Sequence, residues 1–376
     1  MIEKMGAKKY GFPVLVILLV ACVMALMFYP MINMAPKELP FAVLSLDEGA
    51  QTPQGDVFAG EMMAEQLVGA GAPKGADVAP IKWEKFDDQV DVDAALADNE
   101  LYGVLTIPAD FTEAQVLAEA GKGEPAAVTV VLDNAKSPMA ATQMQAALGD
   151  MFQNLGVPAQ ITIINTGNGD NAPTSPLAGM MSQQIGVFPL MIMSLVGSIL
   201  LTRIFSKRGA IGSTSRFITL GKQLAYAVGF SLLAAIAAVV LLNTLVGPSA
   251  PFWTTTVFLW VAGFSVMLLL LGAFNIATPV GGLVAVLAIL CGMMTTVLPR
   301  EMLPGFWADW IYPWSPQHFT GDGIRDMLFR GADLMPLGTG GLLMLGGLGL
   351  VLLVVSGLVP ASGSKDTTDG RIVAAS

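Results

Sequence analysis

Residues 223–299 read QLAYAVGFSLLAAIAAVVLLNTLVGPSAPFWTTTVFLWVAGFSVMLLLLGAFNIATPVGGLVAVLAILCGMMTTVLP, 77 residues without an Asp, Glu, Lys, Arg or His. A bilayer's hydrocarbon core of about 30 Å takes roughly 20 helical residues. The run therefore holds three crossings rather than one. Turn residues mark the breaks, GPSAP at 247–251 and TPVGG at 278–282, and place crossings near 224–246, 256–276 and 281–298. Further uncharged runs at 11–30, 185–202 and 337–359 bring the expected number of transmembrane helices to six. Composition agrees. The 376 residues are 54% hydrophobic and only 13% charged, against about a quarter charged in soluble domains. That excludes a disordered chain, a basic nucleic-acid binder and an ordinary cytosolic enzyme.

The net charge of −10 hides a division. Residues 31–184 carry 21 acids and 6 bases, a net of −15, and the remainder carries 8 acids and 13 bases, a net of +5. Basic residues mark cytoplasmic loops. Lys4, Lys8 and Lys9 flank the first crossing, and Arg203, Lys207, Arg208, Arg216 and Lys222 fill the loop after the second. Both termini are thus expected in the cytoplasm and residues 31–184 outside. The chain divides into a tail and first crossing (1–30), an external domain with its linker (31–184), a five-helix membrane domain (185–360) with a re-entrant outer loop (299–336), and a cytoplasmic tail (361–376). Leu19-Val20-Ala21-Cys22 matches a lipoprotein cleavage box. The apolar run continues past it to Phe28, longer than a signal peptide requires, so a retained span is the better reading.

Residues 38–165 alternate strand and helix patterns. Strands are expected at 41–46, 101–107, 128–132 and 161–164, and helices at 56–68, 92–100, 112–120 and 138–155, the last opened by Ser137-Pro138. This predicts an external α/β domain with a mixed sheet, inserted between the first and second membrane helices. Residues 166–182, rich in Gly, Asn, Pro, Ser and Thr, read as a linker. The domain has neither His nor Cys, which removes the commonest metal and nucleophile chemistry. Asp87, Asp88, Asp91 and Asp93 lack the glycine and closing glutamate of a calcium loop and read as a solvated face. Asp47-Glu48 and Asp133-Asn134 read as strand terminators. Cys22 and Cys291 lie in different spans and imply no disulfide. No catalytic, cofactor-binding or metal residues are expected.

Three features could carry transport. Residues 203–222 mix basic and apolar residues, and Ser213 or Thr214 could cap a short surface helix bearing Phe217, Ile218 and Leu220. It reads equally as a docking helix for a cytoplasmic partner or as charges that fix topology and touch anionic lipid. The outer loop 299–336 concentrates Pro304, Trp307, Trp310, Trp314 and Arg325 in a pattern that suits a re-entrant or interfacial helix pair. Gly281, Ala285, Ala288 and Gly292 share one face of the fifth span and mark a helix interface, within the protomer or in a dimer seam. No expected span carries a charge and no Walker motif is present. Uphill transport would need energy from another polypeptide.

These residues resemble a known family. One span, an external α/β domain and five more spans is the plan of the ABC-2-type exporter permeases, especially the YhgE/Pip-like branch. LPFAVLSLDEGA at 39–50 resembles that family's opening strand and acidic-glycine turn. LYGVLTIPADF at 101–111 resembles its strand with a proline–acid–phenylalanine stop, and residues 128–134 resemble the strand that follows. The series Pro299, Pro304, Pro313, Pro316 and Arg325 resembles its re-entrant hairpin. The resemblance implies a membrane permease in a bacterial plasma membrane, paired with a second permease protomer, a homodimer or a related chain. A separate cytoplasmic ABC ATPase would carry the ATP and dock on Arg203, Lys207, Arg208, Arg216 and Phe217. Pro304, Trp307, Trp310, Trp314 and Arg325 would line an outer gate for a hydrophobic or amphipathic cargo. The alternative within the branch is a membrane-anchored scaffold, of the phage-receptor or type VII secretion accessory kind, whose external domain binds partners.

Overall fold

The computed structural model describes residues 17–18, 21–22, 24–52, 55–72, 78–167, 173, 176–207, 212–247, 251–331 and 334–358. Strand β1 (Leu39–Ser45) is buried on both faces at its centre, as a near-continuous apolar strand must be. It sits second from one edge of the sheet: parallel partners β4 (Ile81–Phe86) and β5 (Gly103–Ile107) flank it, β6 (Val128–Asp133) runs antiparallel to β5, and β7 (Ala159–Ile164) runs parallel to β6. The order β4-β1-β5-β6-β7 is the expected mixed sheet. A small hairpin of β2 (Ala50–Thr52) and β3 (Gly55–Val57) follows β1.

The helices start where capping chemistry puts them. Asp88 accepts a hydrogen bond from the Val90 amide at 3.0 Å, so α2 spans Gln89–Ala97 rather than the expected 92–100. Ser137 and Pro138 open α4 (Pro138–Leu155), and Gly156 closes it at φ 70°. The hairpin shortens the expected 56–68 helix to α1 (Ala59–Val68), and α3 spans Phe111–Glu119. Asp47 binds two of these helix starts together. Its carboxylate accepts from the amides of Gly60 at 2.9 Å and Thr112 at 3.0 Å, and from the Thr112 hydroxyl. Burial pushes its pKa up, but the Thr112 and Gly60 bonds outweigh that and hold it below the ordinary carboxylate value.

Among the described residues, four helices are long and apolar enough to cross a membrane: α5 (Pro176–Ile204), α6 (Ser213–Leu245), α7 (Phe252–Ile276) and α10 (Thr339–Leu358). Helix α7 is central. In its most apolar stretch 72% of residues are buried, against 33–44% in the other three, and it packs on α5, α6 and α10. The outer faces of the others expose Ile192, Val196, Leu233, Met344 and Val351, as lipid-facing surfaces do.

Three expectations need correction. Helix α5 begins inside the residues read as a linker, because proline is tolerated in a first helical turn. Residues 213–220 are no separate surface helix but the first turns of α6. The expected fifth span is not one α-helix. It starts as α8 (Thr278–Ala285), widens into a π-helical turn (Val286–Cys291), and ends in a 3-10 turn (Met293–Thr296). Of the expected first crossing, 11–30, the described residues 17–18, 21–22 and 24–30 are helical, and the helix runs on to residue 32.

Candidate functional site

The basic end of the bundle is organised around the carbonyl end of α10. The Lys207 ammonium donates to the Ser356 carbonyl at 2.7 Å, and Arg216 Nε donates to the Gly357 carbonyl at 2.9 Å. Cations favour a helix C-terminus, where unpaired carbonyls and the helix dipole meet. Phe217 lies over Gly357, where a side chain would strike its ring. Of the five residues expected to receive a partner, Lys207 and Arg216 are thus committed to α10. Arg203 and Phe217 are exposed, and Arg208 lies outside the described residues. A cavity of about 570 Å³ opens beside them, lined by Thr202, Arg203, Lys207, Asn275, Thr278 and Pro279 among others. Asn275 is fixed by Gln223, with reciprocal amide bonds of 2.6 and 3.3 Å, and Gln223 also donates to the Phe205 carbonyl at 2.7 Å.

The opposite end is a compact unit of short helices. A 3-10 turn (Arg300–Met302), a π-helical turn (Trp307–Ile311) and a second 3-10 turn (Tyr312–Trp314) lead into α9 (Pro316–Arg325) and a further π-helical turn (Asp326–Arg330). Helix α9 is wedged into the bundle. A side chain at Gly323 would strike Phe258 of α7, and one at Gly186 of α5 would strike Ile324. Within it Asp322 bonds Arg325 at 2.5 Å and lies 2.9 Å from His318 Nε2. His318 Nδ1 is 3.0 Å from the Tyr312 carbonyl, whose ring stacks on the imidazole. Both ring nitrogens thus face oxygen atoms.

The residues expected at an outer gate divide. Trp307 is buried and stacks on Tyr29. The Pro304 carbonyl accepts the Trp307 and Ala308 amides, opening that turn. Trp310 is 70% exposed, and the Trp314 indole donates to the Trp310 carbonyl. Arg325 is buried on Asp322. The small face of the fifth segment packs within the protomer. Gly281 admits the Phe274 ring, Gly292 admits Ser315 and Gln317, and Ala285 and Ala288 are buried.

Sequence reading missed the joint between this unit and the α/β domain. Leu39, Phe41, Met144 and Phe152 share one apolar core with Leu298, Met302, Trp307 and Ile311. Tyr102 donates to Glu301 at 2.8 Å. Arg330 donates to the Leu96 and Ala97 carbonyls at 3.1 Å, to Asn99 Oδ1 at 2.9 Å and to Asp133 Oδ2 at 3.3 Å. The residues that Arg330 grips lie 197 to 234 positions away, so no local motif announces it.

Toward this end of the bundle, an apolar cavity of about 290 Å³ is lined by Val187, Phe188, Met191, Leu241, Ile289 and Met293, together with Gln184 and Gln317. Among the described residues no three His, Cys, Asp or Glu side chains converge as a metal site.

No curated protein matches the chain, and no solved structure does. The family model described as "ABC-2 family transporter protein" matches residues 12–358. That range takes in the α/β domain, the four long helices, the broken fifth segment and the wedged unit of short helices, and the chain therefore belongs to the ABC-2 transporter family, membrane-embedded permeases of ABC exporters.

Proposed function

We propose that this chain is the permease subunit of an exporter that moves a hydrophobic or amphipathic cargo out of the cytoplasm. A separate ABC ATPase supplies the energy from the basic end. The reading uses six crossings in a bacterial plasma membrane, both termini cytoplasmic and residues 31–184 external, with a second protomer completing the path. Within the family we assign it to the YhgE/Pip-like branch on the order of its strand and proline motifs. The observation that carries the energetic part is the tie between Lys207, Arg216 and the end of α10. A partner pressing on residues 203–217 presses on the last helix. Exposed Arg203 and Phe217 offer the contact surface, with Arg208 beside them in sequence. The apolar cavity supplies a surface suited to cargo without charge.

The test is co-purification and transport in membranes that hold the full chain and its ATPase. Arg203→Glu combined with Phe217→Ala should release the ATPase and abolish ATP-dependent export, with the permease still folded. An ATPase that stays bound and export at the parental rate would refute the docking assignment.

A further inference from the structure

The cavity at the basic end has the makings of a binding site of its own. Lys207 is 8% exposed, and its ammonium meets one carbonyl oxygen, that of Ser356. Burial, with Arg216 nearby, holds its pKa below the ordinary lysine value. Among the described residues no carboxylate pairs with Arg203, Lys207 or Arg216, and no acid lines the cavity. Buried charges are ordinarily paired, and the described residues of this end supply positive charge without a matching anion.

The other walls suit one. Thr278 brings a hydroxyl, whereas the Thr202 hydroxyl donates within α5 and the Asn275 amide donates to Gln223 and the Leu271 carbonyl. Helix α8 starts at Thr278 with no side-chain cap, but Pro279 at its second position has no N–H to give. Two cations and the Thr278 hydroxyl around one cavity suit a phosphate group. The cavity also has an apolar wall of Ile199, Phe274 and Ile276, which fits a phosphate attached to an acyl-bearing molecule.

We propose that the 570 Å³ cavity between the end of α5 and the α7–α8 turn binds a phosphate-bearing anion between Arg203 and Lys207. The source is an anionic phospholipid headgroup or a soluble phosphate. This site stands apart from ATPase docking, although Arg203 serves both. It is therefore tested on the permease alone, with no ATPase or nucleotide present.

The full chain is exchanged into phosphatidylcholine nanodiscs with a minor fraction of phosphatidylglycerol, and retained lipid is counted by native mass spectrometry. A parallel arm titrates inorganic phosphate. Enrichment of phosphatidylglycerol, weakened about tenfold by Arg203→Gln, the loss expected for one charge-assisted hydrogen bond, supports the lipid source. Saturable phosphate binding, weakened alike by Arg203→Gln and without lipid enrichment, supports the soluble source. Lys207→Gln should act in the same direction. Because it also removes a bond to α10, Arg203→Gln, which breaks no bond to α10, is the deciding variant. Equal retention of both lipids with no phosphate binding, or binding that Arg203→Gln leaves unchanged, overturns the proposal.

Discussion

Arg330 holds the α/β domain to the membrane unit, and its removal should loosen one identifiable segment. The guanidinium spans four acceptors: two carbonyls at the end of α2, the Asn99 side chain and the Asp133 carboxylate. Asp133 is 1% exposed at its side chain and Arg330 18%. Hydrogen bonds to charged groups contribute about 1.5–3 kcal/mol, and breaking a buried ion pair by removing one partner costs about 3–5 kcal/mol. Asp133 keeps bonds from the Ala135 amide and Asn165 at 2.8 Å each, and Arg330 is partly solvated. The lower end applies, about 3 kcal/mol for Arg330→Ala. Arg330→Lys keeps the charge but loses the fork and should cost about half as much. Hydrogen exchange on the full chain in nanodiscs reads this out. Amides of residues 96–102 should exchange about a hundredfold faster in Arg330→Ala, with those around Leu155, at the far end of α4, unchanged. Equal exchange at 96–102 in both proteins would refute Arg330 as the tie.

Asp47→Asn should cost about 2 kcal/mol at neutral pH, since it weakens charge-assisted bonds to two helix starts. Because the folded carboxyl titrates below its ordinary 3.8, its contribution is present above that value and fades as pH falls through the lower folded one; thermal melts taken down to about pH 3 should lose that acid-dependent part in the variant. Gly349→Ala would set a methyl 2.3 Å from the Leu269 amide nitrogen and should destabilise by about 1–3 kcal/mol or more, whereas Gly347→Ala, facing open space, should melt like the parent. In a double-mutant cycle, Lys207→Gln and Arg330→Ala should show a coupling of about 0.5–2 kcal/mol in detergent stability. Additivity within about 0.5 kcal/mol would mean that the two ends of α10 act independently.

What could be read from sequence follows from what each signal measures. The absence of charge over residues 223–299 located α6 and α7 well, because burying a charge in lipid is costly. The same signal says nothing of hydrogen-bond register, so the passage from α8 into π and 3-10 turns was invisible. Basic residues at 216 and 222 concealed that α6 starts at Ser213. Strand β4, IKWEKF, was missed for a related reason. It is an edge strand whose Lys82 and Lys85 face out while Trp83 is buried, and charge at an edge guards against unwanted pairing. Arg325 was found as a conspicuous charge in an aromatic loop, but its partners were not. His318 and Asp322 needed the turn geometry of α9 to come together, and Arg330 needed the whole fold.

The charge-free spans and the charged ends form one mechanical arrangement. At one end α10 receives Lys207 and Arg216 on its last carbonyls. Along its length Gly346 and Gly349 bring it against Ser265, Leu268 and Leu269 of α7 with no room for a side chain. Near its start Gly338 lies against the Phe319 backbone of α9, and Asp326 accepts the Leu337 amide at 3.0 Å. Asp326 begins the turn that ends in Arg330, and Arg330 grips the α/β domain. A push at the basic end therefore meets a helix that cannot bend into its neighbour. Such a close-packed seam shifts between discrete arrangements rather than deforming gradually. The spans need no charge of their own for this, because α10 joins the ionic contacts at its two ends.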